Sequence, residues 1–146
     1  MDWMPYEEEE AQILFHSQEI DYELLSQEKY QSWINQILSK EQKNCGTINY
    51  IFCNDVYLLE KNKTYLQHDT LTDIITFEYS KDPISGDIFI SIDRVKENAA
   101  ERNLPFDQEL LRVMAHGVLH LCGYGDKKKE EQKVMRSKEE ACISMF

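Results

Sequence analysis

Apolar residues recur along the chain with two different periods, and each period predicts one kind of element. Short runs that alternate or stay apolar predict β-strands over 12–16, 46–54, 73–79 and 86–92. Apolar residues spaced three and four apart predict helices over 22–40, 55–67, 93–103, 106–122 and 128–143. Strands come early and helices gather toward the C-terminal end, an order that favours an α+β fold.

Individual residues sharpen several of these elements. The second strand places Ile48, Tyr50 and Phe52 on one face, and Asn49 followed by the apolar Ile51 and Cys53 on the other. We therefore expect its second half to be buried on both sides. Pro83 and Gly86 supply turn residues between the third and fourth strands, which predicts a hairpin-like pair. Asp93 and Asp107 are expected to cap the helices that follow them.

Length and composition indicate a single cytosolic domain. The chain has 146 residues, of which 42% are apolar and 29% charged, as in soluble globular proteins, and we treat 1–146 as one domain. It has no apolar run of the roughly 18 residues that a membrane span needs. The acidic N-terminal segment lacks the features of a signal peptide. We expect a cytoplasmic protein with no membrane partner.

Charge and cysteine content argue against two kinds of site, a broad basic surface for nucleic acid and a cysteine-rich zinc site. A net charge of −11 argues against a broad basic surface for nucleic acid, although it leaves room for a local basic groove or a metal. The four cysteines show no CxxC spacing, which argues against a cysteine-rich zinc site. In a reducing compartment we expect free thiols at Cys45, Cys53, Cys122 and Cys142.

The segment HGVLHLCGYGD, residues 116–126, carries the candidate chemistry. His116 and His120 are four apart, so a helix places both imidazoles on one face, close enough to share a metal. Gly123 is placed to end that helix and to let the chain turn back. Asp126 then follows at a position where a third ligand is needed, and its carboxylate binds zinc and other divalent ions. The alternative is a pair of histidines that belong to an ordinary helix core.

Gly117 determines which chemistry the metal would perform. Metalloproteases with the HExxH motif carry a glutamate at this position, and that glutamate is the general base of peptide hydrolysis. Its absence weakens the protease hypothesis. A metal here would still activate water and polarise a phosphoryl oxygen.

The segment resembles the signature HGxLHLxGYDH of the YbeY family, bacterial metal-dependent endoribonucleases of ribosomal RNA maturation. The matching residues are His116, Gly117, Leu119, His120, Leu121, Gly123 and Tyr124. Upstream, residues 62–77 are similar to the family segment NxxYRxxDxxTDVLSF, through Asn62, Tyr65, Asp69, Thr72, Asp73, Ile74 and Phe77. The strand GDIFIS at 86–91 and the later Met135 and Glu139 also fit, so the resemblance covers roughly residues 50–141.

The resemblance implies a zincin-like α+β domain with a small mixed sheet and the metal site on a late helix. It implies hydrolysis of single-stranded RNA, a role in 16S rRNA 3′-end maturation and ribosome quality control, and one bound zinc ion. The implied ligands are His116, His120 and Asp126. The implied partners are ribosomal RNA and the small subunit of the ribosome, with ribosomal proteins or GTPases as candidate protein partners.

Two positions depart from the family pattern. Asp126 stands where the family usually has His, which adds a negative charge and makes divalent metals other than zinc an alternative. Leu66 stands where the family has an arginine, so a phosphate-binding cation is missing. The candidates to replace this arginine are Arg94, Lys61, Lys63 and the run Lys127–Lys129. The alternative for each of them is that it is only a solvated charge on the surface.

The remaining candidates have supporting or structural roles. Asp73 and Asp69 are candidates to orient a metal-bound water or the histidine ligands, or to act as the base. The alternative for Asp69, and for Thr72, is that they only shape the turn into the strand. For Tyr124 we expect packing beside Gly123. We expect Cys122 in the core, and His16 and His68 to be structural or exposed because neither has a partner at ligand spacing.

Three functions are compared. The first is a metal-dependent endoribonuclease in which metal-activated water attacks a phosphodiester, with no residue assigned as general base. The second is a ribosome assembly or binding factor with a structural metal site and little nuclease activity, which the acidic charge and the missing arginine favour. The third is a metalloprotease, against which Gly117 argues.

Overall fold

The computed structural model describes residues 11–66 and 72–146. In this described part of the chain, four strands form one mixed sheet in the order β1-β2-β4-β3. They are β1 (Gln12–Gln18), β2 (Cys45–Cys53), β3 (Ile74–Lys81) and β4 (Ile84–Ser91). β2 is parallel to both β1 and β4, whereas β3 runs antiparallel to β4 and forms an edge of the sheet.

Within the described ranges, five helices pack on the two faces of this sheet. They are α1 (Gln27–Lys40), α2 (Asp55–Leu66), α3 (Ile92–Glu101), α4 (Phe106–Leu121) and α5 (Lys129–Ser144). No helix in the described part of the chain is long and apolar enough to cross a bilayer. The predicted α+β class with a small mixed sheet is confirmed. The assignment of 1–146 to one domain stays a prediction, because residues 1–10 and 67–71 lie outside the described ranges.

The sheet buries both of its faces, one more extensively than the other. The larger core lies between one face and helices α1, α3, α4 and α5, and includes Trp33, Tyr50, Ile88 and Met114. The smaller core lies on the opposite face beneath α2, and its buried members are Ile51, Cys53, Leu58, Ile75 and Phe89. Residues 50–53 are all buried, which confirms the prediction that β2 is covered on both sides.

Helix α4 lies very close to the sheet, and Gly117 permits that approach. A Cβ atom added at Gly117 would come within 2.7 Å of Ile88 Cγ2 and 3.0 Å of Ile74 Cδ1. The Tyr50 hydroxyl donates a hydrogen bond to the carbonyl of Met114 at 2.8 Å, which fixes the same helix from β2. Gly117 therefore has a packing function in this fold, on the side of α4 that faces the sheet.

Several predicted details of caps and turns were wrong. The N-cap of α3 is Ser91, whose hydroxyl accepts from the Arg94 N–H at 3.2 Å, and not Asp93, whose carboxylate accepts from the Asp55 N–H at 3.0 Å. The N-cap of α4 is Pro105 instead of Asp107, which lies in the first turn. A side chain in the first turn and a cap look alike in sequence, because acidic residues are favoured in both places.

The start of α1 and the role of Gly86 also differ from the prediction. α1 begins at Gln27, because Ser26 adopts a left-handed conformation with φ of 60°. Leu24 and Leu25 therefore precede the helix and are not part of it. Leu24 is buried, whereas Leu25 is 73% exposed. Gly86 lies inside β4, where an added Cβ would meet the Phe77 carbonyl oxygen at 2.5 Å. The hairpin turn consists of Asp82 and Pro83.

Candidate active site

Helix α4 presents His116 and His120 on one face, and its C-terminal end returns the chain toward them. The two imidazole rings are nearly parallel, at 4°, with centroids 6.5 Å apart. Gly123 has φ of 109°, and its N–H donates to the His120 carbonyl at 3.0 Å, so the predicted stop at Gly123 is confirmed. The loop that follows brings Asp126 Oδ2 to 3.2 Å from His116 Nε2.

Both histidines are held through Nδ1. His116 Nδ1 lies 2.7 Å from Glu139 Oε2 on α5. His120 Nδ1 lies 3.0 Å from the main-chain carbonyl oxygen of Tyr124. A carbonyl or carboxylate acceptor at Nδ1 places the proton there in the neutral imidazole and leaves the Nε2 lone pair as a ligand atom. Metal-binding histidines are typically oriented in this way.

The chemistry of these donors fits a divalent cation. Two imidazoles and one carboxylate are the ligand types of three-ligand catalytic metal sites. In the described ranges 11–66 and 72–146, no three His, Cys, Asp or Glu side chains are gathered in the geometry of a complete metal site. Asp126 and His116 are in direct contact, and His120 lies one turn further along α4.

The electrostatics around His116 favour a positive charge. Burial by itself lowers the pKa of His116, but the hydrogen bond to Glu139 and the negative charges of Glu139, Asp126 and Asp73 raise it above its ordinary value overall. A group of carboxylates that stabilises a proton on an imidazole also stabilises a metal cation at the same nitrogen. The position therefore attracts cations.

Arg112 contacts three carboxylates next to the candidate ligands. It lies one turn before His116 on α4, and its Nη1 is 3.5 Å from Glu139 Oε1. Its Nη2 is 2.6 Å from Glu109 Oε2 and 3.6 Å from Asp73 Oδ2. Glu109 is completely buried, so its charge depends on this guanidinium and on Arg102, 3.4 Å away. Burial by itself lowers the pKa of Arg112, but the hydrogen bond and charge of Glu109 and the charges of Glu139 and Asp73 raise it overall, so the guanidinium stays charged.

The two histidines open into a cleft of about 610 Å³ between α4 and the edge strand β3. Asp73, Thr72 and Thr76 line the strand side, and Asp126 and Lys127 line the mouth. Asp73 accepts a hydrogen bond from Asn98 Nδ2 at 3.4 Å in addition to its contact with Arg112. The structure thus brings Asp73 to the same cleft as His116, His120 and Asp126.

Arg94 lies elsewhere. Its Nε is 3.3 Å from Asp55 Oδ2, its Nη2 pairs with Glu97, and it is not among the residues that line the cleft. Lys61 lies over the rings of Tyr57, Tyr65 and Phe89. Of the cations proposed to replace the family arginine, Lys127 is the one that lines the cleft. His68 and Asp69 lie outside the described residues.

The other sequence candidates have structural positions. Cys122 packs against the larger core, and all four cysteines are free thiols, as predicted. His16 is exposed and bonds to Asn49 Oδ1 at 2.9 Å. Tyr124 does more than pack beside Gly123, because its carbonyl holds His120 and its hydroxyl donates to Glu41 Oε1 at 2.5 Å.

The residues that sequence reasoning missed are Arg112 and Glu109. Arg112, His116 and His120 are spaced by four, so the helical period already places the arginine on the ligand face. That spacing was the available signal. The contact of Arg112 with Glu139 has no such signal, because it joins two helices.

Comparison with known proteins gives the relatives of this fold and site. The family model described as endoribonuclease YbeY matches residues 12–146. The chain belongs to the YbeY family. The endoribonuclease YbeY of Flavobacterium psychrophilum is 54% identical over 129 residues, which cover 88% of this chain and 92% of that one. The endoribonuclease YbeY of Cytophaga hutchinsonii is 48% identical over 138 residues, covering 93% and 96%.

A solved structure supports the fold of this YbeY-family chain. The solution structure of TM1509 from Thermotoga maritima superposes with a TM-score of 0.65 at 28% identity. The superposition covers 91% of this chain and 87% of that protein. The resemblance inferred from the sequence motifs is confirmed by these matches.

Proposed function

We propose that this protein is a metal-dependent endoribonuclease that hydrolyses single-stranded RNA in 16S rRNA 3′-end maturation and ribosome quality control. Membership of the YbeY family, whose relatives are named endoribonucleases, supports an RNA-cleaving hydrolase. The observation that carries the proposal is the pair of histidines anchored at Nδ1, next to Asp126, in a cleft of about 610 Å³. A binding factor with a structural metal site is not favoured by these relatives.

The proposed ligands are His116 Nε2, His120 Nε2 and the Asp126 carboxylate, with zinc as the metal. Two imidazoles with one carboxylate are known ligands of catalytic zinc, and the carboxylate leaves other divalent ions as alternatives. A divalent ion held there supplies a Lewis acid that lowers the pKa of water and polarises a phosphoryl oxygen.

The chain's own residues hold and orient the reacting groups. Glu139 and the Tyr124 carbonyl each accept the Nδ1 proton of one histidine, and Arg112 in turn holds Glu139. Lys127 at the cleft mouth is placed to bind a phosphate of the substrate. Asp73, held by Arg112 and Asn98 on the facing wall, is the candidate to contact the attacking water or the substrate.

Gly117 separates this site from that of a protease. The residue faces the sheet, where an added Cβ would come within 2.7 Å of Ile88 Cγ2 and 3.0 Å of Ile74 Cδ1, so a larger side chain would have to displace them. A glutamate could not act as general base from this position without displacing the sheet. The proposed substrates are therefore phosphodiesters, and the proposed partners are ribosomal RNA and the small ribosomal subunit in the cytoplasm.

Metal content and cleavage should be measured together on protein purified without chelator. We expect about one zinc per chain, cleavage of a single-stranded 16S rRNA 3′ fragment, loss of cleavage on chelation and recovery on zinc addition. His116→Ala should lose metal and activity, whereas His16→Ala should keep both, because His16 is exposed and bonded to Asn49 outside the cleft. Cleavage that persists through chelation, or protein without stoichiometric metal, would contradict the proposal.

A further inference from the structure

A cluster of basic residues follows the candidate ligand Asp126 in the sequence of this acidic protein. The chain carries a net charge of −11, yet residues 127–138 hold six of its 16 Lys and Arg residues against two Glu. These residues form the last part of the loop after Asp126 and the first half of α5. Over the wider stretch 126–140, which includes Asp126, Glu139 and Glu140, the six cations still outnumber the five carboxylates, so this stretch does not share the acidic charge of the whole chain.

Four of these cations form a strip on the surface, which we call the basic strip: Lys127, Lys129, Lys133 and Arg136. All four are exposed. Lys129, Lys133 and Arg136 are spaced by four and three along α5, so they lie on one side of the helix and extend about 10 Å along it. Within the ranges 11–66 and 72–146, no carboxylate lies within ion-pair distance of the four side chains.

Arg136 of the basic strip lines a second cleft that continues the first. This second cleft has a volume of about 560 Å³ and lies between α4 and α5. Arg112, His116 and Asp126 line both clefts, so the two meet at the candidate metal ligands. Arg136 on α5 and Arg102 after α3 line the second cleft from different elements, and Lys127 lines the first.

We propose that the basic strip binds the phosphate backbone of single-stranded RNA where the strand continues from the active site along α5. The inference rests on the proposed function, because the occupant of the first cleft is taken to be RNA. Unpaired, exposed cations bind phosphates by releasing counterions, a contact that requires no particular base. The basic strip would supply cations for the phosphates at a different place from Leu66, where the family pattern has an arginine.

The test uses two matched triple variants of the full-length, metal-loaded protein. The strip variant carries Lys129→Gln, Lys133→Gln and Arg136→Gln, and leaves Lys127 unchanged. The control variant carries Lys40→Gln, Lys43→Gln and Lys81→Gln, three exposed lysines that line neither cleft. Both variants lose the same charge, so a difference between them reports position and not net charge. Circular dichroism of each variant confirms that it is folded.

Binding is measured by fluorescence anisotropy with single-stranded DNA, which shares the phosphate backbone and lacks the 2′-hydroxyl, between about 50 and 200 mM salt. For the strip variant we expect Kd to rise about tenfold at the lower salt, and the slope of log Kd against log salt to become shallower by about 2. The control should change Kd about threefold or less. Equal weakening in the two variants would overturn the inference.

Cleavage kinetics on single-stranded RNA separate this inference from the proposed function. We expect the strip variant to raise KM about tenfold and to keep kcat within about twofold, because the strip binds substrate away from the reacting atoms. A fall in kcat at unchanged KM would overturn the inference. If the wild-type protein does not cleave RNA at all, the proposed function fails, and the anisotropy comparison still decides whether the strip binds a phosphate backbone.

Discussion

His116 has a partner on each of its two ring nitrogens, and this arrangement determines what the residue can do. Glu139 holds Nδ1 at 2.7 Å, and Asp126 lies 3.2 Å from Nε2. The partner at Nδ1 fixes the orientation of the ring, so Nε2 is directed at the loop carboxylate. His120 is held in the same way at Nδ1, by a neutral partner, the Tyr124 carbonyl. Of the two proposed ligands, we expect His116 to bind the metal more strongly, because its Nδ1 partner is anionic.

Replacement of Glu139 by glutamine should weaken the metal site without removing a ligand. The amide keeps a hydrogen-bond acceptor but loses the charge that strengthens His116, so we expect metal affinity to fall about 10- to 100-fold. Competition with a chromogenic chelator measures it. Glu140→Gln is the matched control, because Glu140 is the exposed neighbour on α5. Equal affinity in the two variants would show that Glu139 does not tune His116.

Arg112 is expected to contribute to folding more than to substrate binding. Arg112→Met leaves the buried carboxylates of Glu109 and Glu139 without their main counter-charge. We expect the free energy of unfolding to fall by about 3–5 kcal/mol, because an unpaired buried charge is strongly unfavourable. Urea denaturation measures this loss.

Arg102→Met is the control for that variant. Arg102 contacts the same Glu109 at 3.4 Å, but its side chain is 50% exposed. Its removal should lower the free energy of unfolding by about 1 kcal/mol or less, because water screens an exposed pair. A similar loss in both variants would contradict the central position assigned to Arg112.

At the scale of elements, the loop between α4 and α5 is fixed by a contact with the end of α1. Glu41, which follows the last residue of α1, accepts from the Tyr124 hydroxyl at 2.5 Å and from Lys138 Nζ at 3.0 Å. Lys138 also lies 5.2 Å from the centroid of the Tyr124 ring. The end of α1, helix α5 and the loop between α4 and α5 therefore meet at Tyr124. Tyr124 lies two residues before Asp126 in that loop.

This contact predicts a pH-dependent contribution to stability. Burial by itself raises the pKa of Glu41, but the hydrogen bonds from Tyr124 and Lys138 lower it overall. A carboxylate with a lowered pKa in the folded state stabilises the fold above its unfolded pKa, and this stabilisation is lost as pH falls through the folded pKa. We therefore expect Glu41→Gln to cost about 1 kcal/mol of unfolding free energy at neutral pH.

The measurement compares the unfolding free energies of wild-type protein and Glu41→Gln at neutral pH and at a series of falling pH values. The difference between the two proteins should shrink as pH falls below the unfolded pKa of Glu41 and through its lowered folded pKa, because protonation removes the charge that Tyr124 and Lys138 stabilise. A difference that stays constant with pH would mean that the carboxylate charge contributes nothing.

The sequence contained enough information for the elements but not for their ends. Apolar periodicity located the strands and helices because each element buries one face, as the buried Trp33, Ile34, Ile37 and Leu38 of α1 show. It misplaced the caps at Asp93 and Asp107, because capping depends on backbone conformation that composition does not specify. Gly86 was assigned to the turn because its need for close packing against Phe77 arises only across the sheet.

For the site, local spacing could be predicted and long-range contacts could not. The four-residue spacing of His116 and His120, with Gly123 as the stop, needs only helix geometry. The contact of Arg112 with Glu139 joins residues 27 positions apart on different helices, so their proximity depends on tertiary packing. Glu139 entered the sequence argument only as a matching position of the family, without a role.

At the scale of the whole molecule, positive charge is distributed unevenly over the surface. A net charge of −11 argues against a broad nucleic-acid surface. Lys127 and Arg136 of the basic strip line the two clefts that meet at the candidate ligands, where a short substrate segment would pass. An acidic protein with one basic strip should bind RNA at that strip and repel it elsewhere, because like charges disfavour contact.

Asp126 is the third ligand on which the proposed catalytic metal site depends, and cleavage by variants at this position measures its contribution. Initial rates on a single-stranded 16S rRNA 3′ fragment should be compared for wild type, Asp126→Ala and Asp126→His. We expect Asp126→Ala to lose at least about 100-fold, and Asp126→His to retain chelator-sensitive cleavage because imidazole also ligates the metal. Cleavage by Asp126→Ala at the wild-type rate would contradict the account.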